Sequence, residues 1–269
     1  MANIEITFHA DSIMRLTTFQ LFLPNDVSAE IMDGNPAYKR KTKTLFLLHG
    51  YSGIYKDWAL GSLAHEMSLK YNLAVVMPSG DNSFYVDGKG SGHAYAQYVG
   101  RELVDYVRGT FGLAKKTEDT FIGGFSMGGF GAIHLGMLFP QNFGKIAALS
   151  SAMIIEDIAG LQPGEENTIA DYDYYTSVFG ELSALKTSRN NPEHQIKLRI
   201  QGQERIQPIF MACGTEDYLL PNNRRFHQFL VSEGVDVTYR ESPGCHDWKF
   251  WNEYLEPAIL WMLNTCGQP

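Results

Sequence analysis

The run Thr120-Phe121-Ile122-Gly123-Gly124-Phe125-Ser126-Met127-Gly128-Gly129-Phe130-Gly131-Ala132 boxes one serine between glycines. A serine hydroxyl attacks a carbonyl carbon only when a base takes its proton and a third group orients that base. Gly124-Phe125-Ser126-Met127-Gly128 has the G-x-S-x-G spacing of a strained strand-to-helix turn, whose small neighbours let the hydroxyl stand clear of a sheet. Plain close packing of a helix on a strand would also account for such glycines. The apolar, strand-like run before Ser126 and the helix-like run after it favour the turn.

The partners of such a serine follow later strands, in the order serine, acid, histidine. After the apolar run 209–212 comes Cys213-Gly214-Thr215-Glu216-Asp217, and after 235–240 comes Ser242-Pro243-Gly244-Cys245-His246-Asp247-Trp248. His246 is therefore the candidate base, in a turn marked by Pro243 and Gly244. His9 and His194 lie off the strand ends, His65, His134 and His227 fall within helical runs, and His93 sits in a glycine-rich loop as a weaker rival. Asp217 is the candidate orienting acid. Glu216 is its neighbour, and either could cap a helix starting near Pro221. Asp247 adjoins His246 too closely to orient that ring easily. A tetrahedral oxyanion also needs backbone donors. Met127, directly after the serine, is one candidate N–H. The other is Tyr51 in "LLHGYSGIYKDW", where His49-Gly50 would make a tight turn; Gly50 and Gly53 are otherwise ordinary turn residues.

These loops need a sheet to hold them. Short continuous apolar runs at 44–48, 73–77, 120–123, 146–149 and 209–212 suit strands buried on both faces, preceded by strand-like runs at 4–8 and 16–23 and closed by 235–240. Helical spacing at 58–71, 95–111, 127–138, 221–232 and 247–264 alternates with them. In 58–71 the pattern sets Leu60, Leu63, Ala64, Met67 and Tyr71 on one side. The alternation predicts an α/β chain, a mostly parallel, doubly wound sheet flanked by helices, in a single domain over 1–269. Residues 156–203, after the sixth strand, are polar and lack a buried-strand run. They are expected to form an insertion over one edge of the sheet, or a partial lid.

Composition narrows the function classes. Hydrophobic residues at 44% and charged residues at 19% suit a globular chain, and the net charge of −8 offers no basic footprint for nucleic acid or an anionic membrane. Cys213, Cys245 and Cys266 are widely spaced and odd in number, which predicts reduced thiols rather than a disulfide scaffold. No signal-peptide pattern opens the chain, and no apolar run approaches the ~20 residues of a membrane helix, so a cytoplasmic location is expected. No HxxEH or clustered ligand set predicts a metal.

Taken together, "LLHGYSGIYKDW", "GGFSMGGFGA", "CGTEDYLL" and "GCHDWKFW", with "MPSGDNSFYVD", resemble the esterase D-like branch of the α/β-hydrolases, and most of all its bacterial tributyrin-esterase and acetyl-esterase type. The resemblance spans about 44–251. It implies the α/β-hydrolase fold and a cofactor-free serine esterase with Ser126, Asp217 and His246 as triad and the Tyr51 and Met127 N–H groups as oxyanion hole. The implied partner is a small-molecule ester carrying a short-chain acyl group, acetyl to butyryl, or a small aromatic one. Feruloyl or acetyl esterases of plant-wall polysaccharides, S-formylglutathione hydrolases and acyltransferases share this neighbourhood. A catalytically silent binding protein on the same fold is the non-enzyme alternative. Assembly into a homo-oligomer is compatible with the sequence.

Overall fold

Each apolar run becomes a strand: β1 (Ala2–Ala10), β2 (Arg15–Leu23), β3 (Lys43–Leu48), β4 (Leu73–Pro78), β5 (Thr120–Phe125), β6 (Lys145–Leu149), β7 (Ile209–Gly214) and β8 (Val237–Ser242). They form one 8-stranded sheet in the order β1-β2-β4-β3-β5-β6-β7-β8. The β1–β2 and β2–β4 pairs are antiparallel, and every other pair is parallel. This computed structural model describes residues 1–264, so Cys266 lies outside the described residues. The helices are α1 (Ala29–Gly34), α2 (Asp57–Gly61), α3 (Ala64–Lys70), α4 (Tyr95–Gln97), α5 (Leu103–Phe111), α6 (Met127–Leu138), α7 (Ile155–Ile158), α8 (Tyr172–Phe179), α9 (Pro192–Gln201), α10 (Leu220–Ser232) and α11 (Trp248–Met262).

The period of two within each strand sorts side chains into two cores. Phe46, Leu48, Ala74, Val76 and Ile122 join the cluster on the α5–α6 face. Leu45, Leu47, Val75, Met77 and Phe121 join the opposite cluster, with Trp58, Met67, Trp251 and Leu255. Burying each large side chain is worth roughly 1.5–3 kcal/mol, so a parallel sheet covered on both faces is the arrangement these runs favour.

Two helical segments depart from the sequence expectation. Residues 58–71 do not form one helix: Leu60 is 81% exposed and Leu63 is 44% exposed, and the chain breaks between α2 and α3. At the break the Ser62 hydroxyl accepts the Ala64 N–H at 3.1 Å, and the Asn252 side chain accepts the Leu63 N–H at 3.0 Å. These bonds start a new helix at Ala64, and Gly61 abuts the Trp248 indole too closely for a side chain. Residues 95–111 do stay helical, but through a π-helical turn at Tyr98–Glu102 that joins α4 to α5.

The segment 156–203 contains no strand, as expected, and part of it packs on α6. From α6, residues Met127 through Met137 are all buried, so this helix needs cover on its outer side as well as from β3, β5 and β6. Tyr175, Val178, Phe179, Leu182, Leu185 and Ile196 supply it from the inserted segment. Phe179 meets Phe130 edge-on at 5.8 Å.

Between α6 and α9, buried His134 accepts a hydrogen bond at Nδ1 from the Gln195 amide at 2.8 Å. Its Nε2–H has no partner among the described residues. Burial, with Arg189 adding repulsion, pushes its pKa down from 6.5 to about 3. The unfolded chain binds this proton at higher pH than the fold does. The contribution is therefore fully present above pH 6.5 and shrinks as pH falls toward about 3. Stability should decline in that window with a slope of up to about 1.4 kcal/mol per pH unit from this group. His134→Phe should flatten the decline of the urea midpoint between about pH 6 and 4, measured by circular dichroism. An unchanged slope would show that His134 does not carry it.

Candidate active site

The glycines around Ser126 have a steric reason. A Cβ on Gly128 would come within 2.2 Å of the Leu48 carbonyl oxygen, and one on Gly124 within 2.4 Å of the Gly128 carbonyl oxygen. The first turn of α6 thus lies directly against the end of β3. Ser126 itself takes φ 54° and ψ −121°, a strained conformation for a residue with a Cβ. Four backbone bonds hold it there. Its N–H donates to Leu149 O at 2.9 Å, and its carbonyl accepts from Gly129, Phe130 and Ala152 at 3.0, 3.1 and 3.0 Å.

The loops after β7 and β8 bring Asp217 and His246 together, with His246 Nδ1 at 2.9 Å from Asp217 Oδ2. The Asp217 side chain is fully buried and that of His246 is 15% exposed. The second Asp217 oxygen accepts the Leu219 N–H at 2.8 Å. Burial pushes the Asp217 carboxyl up, but hydrogen bonds from His246, Leu219 and Ser150 outweigh it and hold it below its ordinary value. The neighbouring carboxylates have other work. Glu216 accepts from Gly244 N–H and the Thr215 hydroxyl, while Asp247 caps α11 through the Phe250 N–H at 3.0 Å. His93, the weaker rival, instead lines a cavity of about 260 Å³ with Arg15, Asp81, Lys89 and Tyr174.

Aromatic packing ties this pair to the serine turn. Trp251 stacks on Phe125, directly before Ser126, with centroids 4.1 Å apart, and its edge meets the His246 ring at 5.1 Å. Tyr218 lies on another side of that ring at 4.7 Å.

On the opposite side, Tyr51 follows Gly50 in the loop after β3. Among the described residues, neither the Tyr51 N–H nor the Met127 N–H donates a hydrogen bond. Met127 also opens α6, where free N–H groups and the helix dipole favour negative charge. Sequence reasoning gave His49 only a turn, but its buried ring is a brace. Nδ1–H donates to Gly50 O at 2.8 Å, and Nε2 accepts Gly80 N–H at 2.8 Å. Only a neutral ring can do both, and burial lowers its pKa accordingly. The Asn82 side chain accepts the Ser52 N–H at 2.7 Å, and Tyr174, from the inserted segment, donates its hydroxyl to Asn82 O at 2.7 Å. Tyr174 also meets the Tyr51 ring edge-on at 5.7 Å.

Chemically, a buried carboxylate fixes one imidazole nitrogen as a donor, which leaves Nε2 as a base. Two free N–H groups are available for an oxyanion. No group of three or more His, Cys, Asp or Glu among the described residues is arranged to hold a metal ion. Asp217→Asn should keep the shape of the site but present a donor to Nδ1, moving the ring proton to Nε2. Ester hydrolysis should then fall by roughly 10³–10⁴ in kcat with an unchanged melting curve, and the altered tautomer should be visible in imidazole ¹⁵N shifts. A near-normal kcat would rule out the carboxylate's role.

Residues 11–262 match the model of the Esterase family. The chain is 42% identical over 262 residues to an acetyl esterase of Caldicellulosiruptor saccharolyticus, covering 97% of this chain and 98% of that one. Among solved structures it resembles the substrate-bound fluorophosphonate-binding serine hydrolase F of Staphylococcus aureus, with 28% identity, a TM-score of 0.83 and 98% of each chain covered. An S-formylglutathione hydrolase of the same organism is similar at 29% identity and TM-score 0.82, over 98% of this chain and 99% of that one. Relatives thus match this mostly parallel sheet and its helices along nearly the whole length, and the chain belongs to the Esterase family as a serine ester hydrolase of the α/β-hydrolase type.

Proposed function

We propose that Ser126, His246 and Asp217 are the catalytic triad, that the Tyr51 and Met127 N–H groups form the oxyanion hole, and that the preferred substrates are small esters of short-chain or aromatic acids. The carrying observation is the buried 2.9 Å Asp217–His246 bond, linked through Trp251 to the strained serine turn. In the first half-reaction Ser126 Oγ attacks the ester carbonyl and its proton passes to His246 Nε2. Asp217 keeps Nδ1–H in place and stabilises the imidazolium. The oxyanion gains two N–H donors, each worth about 3 kcal/mol in such sites. Collapse expels the alcohol with the proton from His246 and leaves an acyl-enzyme. Water, deprotonated by His246, then releases the acid and restores Ser126.

Short acyl groups are supported by the 42% identical acetyl esterase and by the walls near Tyr51. The rings packed around Tyr51 are aromatic, Tyr174 with a polar hydroxyl and buried Phe84 without one. The same rings suit a small aromatic acyl group. An S-formylglutathione-type thioester is a second reading. Lys89 and His93 at the cavity beside Tyr174 favour it, since they could meet an anionic leaving group. Cys213 and Cys245, free thiols among the described residues, suit a reducing, cytoplasmic compartment. No helix of the described residues is long and apolar enough to cross a membrane.

A fluorophosphonate should add one phosphonyl group to the protein, found on Ser126 by peptide mass spectrometry. Ser126→Ala should lose both the label and all but a few per cent of hydrolysis while folding normally. A folded Ser126→Ala protein with substantial activity would sink the reading. Across p-nitrophenyl esters from acetate to decanoate, kcat/KM should fall beyond about C6, because added methylenes gain ~0.8 kcal/mol each only where a pocket buries them. A steady rise to decanoate would reveal an apolar channel. Thiol release from S-formylglutathione, followed with a chromogenic disulfide, separates the second reading.

A further inference from the structure

The chain leaves β6 through Ser150, a residue no sequence pattern marked. Its φ of 46° lies in the left-handed region, and its N–H donates to Ala212 O at 2.7 Å. The side chain is fully buried. Trp251 Nε1–H donates to Oγ at 3.1 Å. Leu149 pairs with Ala212, which sets Ser150 beside Cys213 and the loop after β7, and hydrogen bonding from Ser150 opposes the effect of burial on the Cys213 thiol and the Asp217 carboxylate. An indole N–H can only donate. The thiol, which burial pushes up to about 12, stays protonated and can itself donate. An ionised carboxylate can only accept. Of the three neighbours, Asp217 is therefore the one suited to take the hydroxyl proton.

We propose that Ser150 is a positioning residue: its hydroxyl, oriented by the Trp251 indole, donates to Asp217 and keeps the carboxylate aimed at His246. The inference rests on the triad proposed above. It gives Trp251 a double role, since the same indole packs on Phe125 at the serine turn and on the His246 ring. The loops after β6, β7 and β8 then share one buried polar cluster, and the Trp251 ring joins it to the end of β5. Other titratable or charged groups facing this cluster are Tyr218 on the His246 ring and, behind Cys213, Tyr239 and the Arg224–Glu241 ion pair.

Two variants test it. Ser150→Gly removes the hydroxyl and relieves the left-handed backbone, while Ser150→Ala removes the hydroxyl alone. Both should lower kcat for p-nitrophenyl acetate about tenfold with KM within about twofold, the loss expected for one hydrogen bond to a charged group. The acid limb of the kcat/KM profile should move to higher pH by about half a unit. Its cause would be that Asp217, still held by Leu219, gives more of its charge to His246. Both variants orphan the Trp251 N–H and only glycine relieves the left-handed backbone, so Ser150→Gly should melt above Ser150→Ala while the two lose the same activity, and activity and stability move apart. Trp251→Phe should repeat the limb shift with smaller amplitude. Wild-type kcat with an unmoved limb in folded Ser150→Gly overturns the proposal. So does an activity loss that only tracks lost stability. Ser126→Ala run alongside separates the two levels: activity in that variant would refute the triad, whereas its inactivity beside a fully active Ser150→Gly would refute the positioning role alone.

Discussion

The close approach of the α6 N-terminus to the end of β3 is the constraint from which the site follows. Ser126 can hold a positive φ because Leu149 O and three N–H donors fix its peptide groups on both sides. Those bonds form only if α6 comes within van der Waals range of Leu48 and His49, and that approach needs hydrogen atoms at 124 and 128. Backbone strain of this kind costs about 1–3 kcal/mol and survives only where surrounding structure over-determines it. Here the surroundings are a fully buried helix and a sheet packed on both faces.

The remaining chemistry is distributed over loops that share no local sequence, and buried polar contacts keep those loops in register. His49 joins the turn before Tyr51 to the start of the loop after β4. Tyr85 reinforces the same junction through its hydroxyl on His49 O at 3.1 Å. Each contact is enclosed by aromatic rings, so water does not compete for the hydrogen bonds and each weighs more than it would at the surface. The loops after β3 and β4 are thus stiffened from beneath.

Local features were legible in the sequence, and features set by distant partners were not. The strand runs declared themselves by continuous apolarity, and the serine turn by glycines within two residues. That Asp217 and His246 would meet followed from their order behind strands. By contrast, the break before Ala64 depends on Asn252 and Trp248, which lie far along the chain. The brace at His49 depends on Gly80, and the contact at Ser150 on Trp251, which is 101 positions away. The all-round apolarity of α6 was visible in its residues. It was the signal that something must roof that helix, and the segment 156–203 supplies part of that roof.

That roof bears on how specificity could diverge in this family. One short stretch, 172–179, both seals α6 with Tyr175 and Phe179 and touches the loops after β3 and β4 with Tyr174. On the function proposed above, alternate helix faces therefore answer to different pressures, one to stability and one to substrate. Exchanging the whole insertion between relatives would uncover α6 and risk insoluble protein before any new preference could be seen. Recombination is thus a poor route to new substrates here, and point changes on the outward face of α8 are the accessible one.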